Sequence, residues 1–122
     1  MPPRVRALRG ATTVDDDTAE QVTERVGALM EQLFARNDLH KDDLISVIFT
    51  ATDDVRSKFP AEAARQFGIG DVPLLCAREL DIVSGTPRCI RVMLHFYTDR
   101  PASELRHVYL EGAQGLRDDL PG

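Results

Sequence analysis

Arg91 stands in an otherwise apolar run, Cys89-Ile90-Arg91-Val92-Met93-Leu94, that reads as a strand. An unpaired charge on a buried strand is very costly, so an arginine there needs an anion. Glu79 closes the preceding apolar run, Val72-Pro73-Leu74-Leu75-Cys76-Ala77-Arg78-Glu79, three residues after a thiol. Two arrangements satisfy Arg91: a structural salt bridge to Glu79, or a cleft in which both charges serve a ligand. The standard covalent and metal-binding sets are missing. His40, His95 and His107 have no G-x-S-x-G nearby. No C-x-x-C or H-E-x-x-H pattern supports a metal, and no glycine-rich loop precedes a helix to cradle a phosphate. Cys76 lacks the local signature of a thiol nucleophile. Glu79 and Asp81 share a parity, but that pairing is common on strands. Arginines in strands, with one glutamate, one cysteine and one tyrosine, suit binding a polyanion and holding it.

The elements that must position these residues follow from periodicity. Residues 72–81 and 89–98 read as two strands joined by a turn at Ser84-Gly85-Thr86-Pro87. Residues 4–13 read as the first strand. Parity puts Arg4 and Arg6 on one face and Arg9 on the other, with Val5 and Ala7, where a charge is unexpected. Either Arg9 is a charge on a buried face, or Gly10 has already broken the strand and Arg9 is in solvent. Val22, Val26, Leu29, Met30, Leu33 and Phe34 recur at helical spacing, predicting a long helix over about 18–36. Asp17 with Glu20, or Thr18 with Gln21, forms its capping box. Residues 44–51 are apolar on both faces, which fits a central strand covered on two sides. A short helix over about 60–66 starts with Pro60 and is closed by Gly68; Phe59 before it is a staple to the core or the wall of a pocket. Residues 106–110 give a last short strand. The order predicts an α+β fold with a mixed sheet of about five strands. One long helix covers one face of such a sheet. Met93, His95 and Tyr97 lie on the other, so a homo-oligomer is expected to cover it.

The chain of 122 residues reads as one domain, 1–122, with a core of ordinary composition: 43% hydrophobic and 29% charged residues. A net charge of −5 argues against nucleic acid as a partner. No apolar run reaches the length of a membrane span and no signal peptide precedes the fold, which leaves the cytoplasm as the default. Cys76 and Cys89 then read as buried free thiols rather than a disulfide.

Five segments together resemble one family: residues 8–14 (Leu8-Arg9-Gly10-Ala11-Thr12-Thr13-Val14), 59–65, 72–79, 89–92 and 106–110. In this order and spacing they are similar to the monofunctional chorismate mutases of the Bacillus type, the trimeric α+β class, and the similarity spans essentially the whole chain. The resemblance implies the chorismate mutase fold, related to the ferredoxin-like one, in a homotrimer that forms a pseudo-barrel with sites at its subunit interfaces. It implies the rearrangement of chorismate to prephenate in aromatic amino-acid (Phe/Tyr) biosynthesis, without cofactor, metal, nucleophile or proton transfer. By the same resemblance Arg91, Glu79 and Cys76 are catalytic: Arg91 donates to the ether oxygen, Glu79 accepts from the ring hydroxyl, and Cys76 sits beside that hydroxyl. Arg9 and Tyr109 grip the side-chain carboxylate, and Leu75 contributes through its backbone, with Ala77 and Arg78 beside it. Phe59, Ala61 and Arg65 line the site from a neighbouring subunit, and Leu116 and Arg117 belong to a tail that closes over it. Arg91 and Glu79 are then held apart, at opposite ends of a bound dianion. Two departures stand out: Glu62 replaces a lysine and Leu75 a threonine. Glu62 is expected to point outward or pair with Arg65. The alternatives are a trimeric binding module for a carboxylate metabolite without turnover, and a trimer like the imine deaminases; Glu79 with Cys76 three residues before it argues against both.

Overall fold

The computed structural model of the chain describes residues 3–116. The elements are β1 (Arg4–Thr13), α1 (Ala19–Asn37), β2 (Leu44–Ala51), α2 (Pro60–Phe67), β3 (Leu74–Arg78), β4 (Cys89–Thr98) and β5 (Val108–Tyr109). They form one mixed α+β sheet in the order β3-β2-β4-β1-β5. β4 is antiparallel to both β1 and β2, while β3 runs parallel to β2 and β5 parallel to β1. The two strands within 72–98 are therefore not a pair. A parallel neighbour of β2 needs a crossover, which α2 supplies, and this puts β3 outside β2. β2 accordingly lies second from the edge, and β4 takes the centre.

Alternate residues decide the faces. Leu8, Val47, Phe49, Val92, Leu94 and Phe96 are buried against Val22, Val26, Leu29, Met30 and Leu33 of α1, with Ala61, Ala63 and Ala64 of α2 in the same core. The other face carries Val5, Ala7 and Arg9 of β1, Ser46, Ile48 and Thr50 of β2, and Arg91, Met93, His95 and Tyr97 of β4. Among the described residues no helix covers it: Val5 is 54% exposed and Tyr97 49%. Both readings of Arg9 change as a result. β1 continues through Gly10 to Thr13, and the face that Arg9 shares with Val5 and Ala7 is the open one. β2 is likewise covered on one side only.

Thr18 caps α1, its hydroxyl accepting from the Gln21 N–H at 3.1 Å. The Gln21 side chain does not complete the box on Thr18; it accepts from the backbone N–H groups of Asp15 and Asp16. Asp38 ends the helix in the left-handed conformation. The buried Asn37 amide donates to the Arg106 carbonyl (2.8 Å) and its oxygen accepts from the Arg106 N–H (2.6 Å). Both backbone groups of Arg106 are thereby withdrawn from any ladder, which is why the last strand shrinks to two residues.

Gly10 sits where α1, β1 and β5 meet. A Cβ there would lie 3.0 Å from the Val108 carbonyl oxygen and 3.1 and 3.3 Å from methyls of Leu29 and Leu33. Overpacking of this kind costs about 1–3 kcal/mol. Gly10→Ala is expected to lower the melting temperature by several degrees, read by thermal denaturation. A variant as stable as the parent would show that these neighbours yield freely.

Candidate active site

Glu79 lies one residue beyond β3, yet its backbone continues the ladder: its N–H donates to the Ala51 carbonyl at 3.0 Å. Its side chain turns over β2, where the Thr50 hydroxyl donates to Oε2. Arg91 pairs with Thr50 on the other side of β2. The Arg91 Nε and the Glu79 Oε1 are 3.1 Å apart. The two are in contact in the single chain; the separation expected of them is that around a bound dianion. Only one strand separates β3 from β4, and neighbouring strands lie about 4.8 Å apart, within reach of two long side chains. The pair is nonetheless incompletely satisfied. The Arg91 Nε–H is buried and is not directed at the carboxylate, so it makes no hydrogen bond. The distance records a Coulombic contact, while the angle leaves a donor unused, and a buried unused donor is costly.

Arg9 and Tyr109 approach from the other side. Ala11 of β1 pairs with Arg91 in one direction and with Tyr109 in the other, and Arg9 lies two residues earlier, opposite Met93. The Arg9 backbone N–H donates to His107 Nδ1 at 2.9 Å, tying β1 to the segment before β5. The 3₁₀ turn Glu111–Ala113 folds back so that Ala113 joins Ala11 and Cys89 in a small buried cluster, with Tyr109 and Leu116 packed against it. Burial pushes the Cys89 thiol up, with the Arg91 guanidinium opposing. Arg91, Glu79, Arg9, Tyr109 and Leu116 thus gather at one end of the open face. Arg117 lies outside the described residues.

The remaining candidates sit elsewhere. Cys76 is three residues from Glu79, an odd step that reverses its face, and it packs against the core rather than beside Glu79. With Ala77, Arg78 and Phe59 it lines a groove of about 970 Å³ between the start of α2 and the β2–β3 edge, and neither Arg91 nor Glu79 lines that groove. Phe59 is 67% exposed, a wall and not a staple. Arg78 donates twice to Asp53, at 3.0 and 2.7 Å, and this hydrogen bonding holds the Asp53 carboxyl below the usual carboxylate range. Leu75 is exposed on the edge strand, Ala61 is buried against the core, and Arg65 is exposed near the end of α2. Glu62 lines the groove and makes no ion pair with Arg65 among the described residues. Thr50 and Asn37 escape a reading of the sequence: a threonine in a strand and an asparagine near a helix end are ordinary, and only the fold gives them their partners. Among the described residues no three His, Cys, Asp or Glu side chains converge as a metal would need. No described helix is long and apolar enough to cross a membrane.

The sequence model of the chorismate mutase type I family matches residues 5–120. The chain belongs to that family. It is 46% identical over 117 residues to the chorismate mutase AroH of Thermus thermophilus, covering 95% of this chain and 96% of that protein. It is 40% identical over 117 residues to the chorismate mutase AroH of Bacillus subtilis (strain 168), covering 95% of this chain and 92% of that one. Among solved structures, a chorismate mutase from Clostridium thermocellum matches with a TM-score of 0.87 and 43% identity, over 89% of this chain and 97% of its own. The family, isomerase class and α+β fold implied by the five segments hold over nearly the full chain.

Proposed function

We propose that the chain, as one domain of residues 1–122, rearranges chorismate to prephenate in aromatic amino-acid biosynthesis, at a site shared between subunits of a homotrimer. The supporting observation is the Arg91 guanidinium: its side chain is 41% exposed on the open face, with the Glu79 carboxylate beside it. A dianionic substrate provides the acceptor. The reaction is a Claisen-type 3,3-rearrangement within one molecule, so the protein supplies a compact conformer and charge complementarity. Negative charge develops on the ether oxygen as the bond breaks, and Arg91 donates there. Positive charge develops on the ring, which Glu79 faces while accepting from the ring hydroxyl. Arg9 and Tyr109 hold the side-chain carboxylate, with Leu116 and Arg117 closing the site.

The split of the candidates into two groups supports the shared site. Phe59, Cys76, Ala77 and Arg78 line one surface and Arg91 with Glu79 another, so in this reading the groove of one subunit faces the Arg91 end of its neighbour. Leu75, Ala61 and Arg65 come with the groove, and Cys76 reaches the ring hydroxyl from that neighbour. The open sheet faces, with Val5, Ile48, Met93 and Tyr97, form the inner surface of the trimer. The cytoplasmic placement continues to rest on the sequence. The test is the fall in chorismate absorbance after adding purified protein; loss of chorismate only at its spontaneous rate would overturn the reading. Thermal stabilisation by chorismate or prephenate without turnover would point instead to a binding module.

A further inference from the structure

Thr50 stands on the strand between the two halves of the charged pair. It is the cross-strand partner of Arg91 in β4 and of Ala77 in β3, and its hydroxyl donates to Glu79 Oε2. An ionised carboxylate is acceptor-only, with two oxygens to satisfy. Here Oε2 is taken by Thr50 and Oε1 is turned to Arg91, 3.1 Å from Nε. The Glu79 backbone is anchored by the next residue of the same strand, through the Ala51 carbonyl. Two consecutive residues of β2 therefore fix a side chain that stands past the end of β3, where nothing else in the ladder would orient it. The position is also short of alternatives. Ala77, opposite Thr50, has no polar side chain, and among the described residues only Thr50 hydrogen-bonds the Glu79 carboxylate.

We infer that Thr50 is a positioning residue for the mutase reaction: its hydroxyl holds one oxygen of Glu79 so that the other is presented to the substrate when Arg91 turns to the ether oxygen. This rests on the proposed roles of Glu79 and Arg91. A hydrogen bond to a charged group contributes enough that losing it should slow turnover about tenfold. The loss falls on kcat, with KM within about threefold, because Thr50 touches Glu79 and not the main carboxylate grip of Arg9 and Tyr109. Thr50→Val keeps the branched shape and strand propensity while deleting the hydroxyl. Thr50→Ser keeps the hydroxyl and should restore kcat to within about threefold of the parent.

The test is steady-state chorismate turnover by the parent, Thr50→Val, Thr50→Ser, Glu79→Ala and the Thr50→Val/Glu79→Ala double variant, with melting temperatures for each. Support is a kcat loss in Thr50→Val, rescue in Thr50→Ser, and no further loss when Thr50→Val is added to Glu79→Ala. Parental kcat in Thr50→Val overturns the inference. So does a full second loss in the double variant, or a Thr50→Ser variant that is folded but as slow as Thr50→Val. If Thr50→Val fails to fold, Thr50→Ala, which also lacks the hydroxyl, takes its place in the same comparison. A parent that leaves chorismate at its spontaneous rate sinks the reading of the site itself, which is a separate outcome from an active parent indifferent to residue 50.

Discussion

Arg91→Ala is expected to fold like the parent and to lose about 10²–10³ in kcat, the usual effect of removing one well-placed donor to a developing oxyanion. The side chain is 41% exposed and stands on the open face, so truncating it opens no cavity in the core. Arg91→Lys should fail too, since a single ammonium cannot reproduce the planar fork that bridges an ether oxygen and a carboxylate. The contact with Glu79 makes a purely structural ion pair the competing account, and the two separate cleanly. If Arg91 only neutralises Glu79, replacing both by apolar residues of similar volume (Arg91→Met with Glu79→Leu) leaves function intact and stability unchanged or higher. If Arg91 serves the substrate, the double variant is stable and inactive. Chorismate turnover and thermal denaturation on the same preparations settle it; a double variant with parental kcat would remove Arg91 from the mechanism.

Met93→Asp is expected to abolish assembly and activity together. Met93 is 37% exposed at the middle of the open face, between Arg9 of β1 and Ile48 of β2, so a single subunit tolerates the carboxylate. In a trimer that packs these faces together it would bury one unpaired charge per subunit, at a cost of several kcal/mol each. The parent should sediment as a trimer and the variant as a folded monomer, with turnover down at least about a hundredfold because the groove half of each site has gone. A variant that is monomeric and fully active would show that one chain holds a complete site. A variant that stays trimeric would put the interface elsewhere.

The residues show why some of this was legible beforehand. α1 announces itself because Val22, Val26, Leu29 and Leu33 must all meet one core, and helical spacing is a local property. Arg91 stands out because a charge in an apolar strand is expensive wherever the strand lies. Cys76 lies on the opposite face from Glu79, because side-chain direction along a strand alternates and three residues along the chain reverse it. The pairing of 72–81 with 89–98 failed for a related reason. Nearness in sequence favours a hairpin, but α2 returns β3 to the far side of β2. The contact between Arg91 and Glu79, one of the two arrangements the residue types allow, is brought about by that topology.

Family and reaction class were determined by the sequence itself, which also offers Arg91, Glu79, Arg9 and Tyr109 as candidates, since these depend on residue type and on order along the chain. Only the tertiary structure decided that β2 stands between the two charges, that Thr50 holds Glu79 and that Asn37 fixes Arg106. It also decided that the candidates divide into two surfaces of one chain. Each of these is a contact between segments far apart in sequence, and hydrophobic periodicity constrains which face a residue takes but not which strand comes to lie beside it.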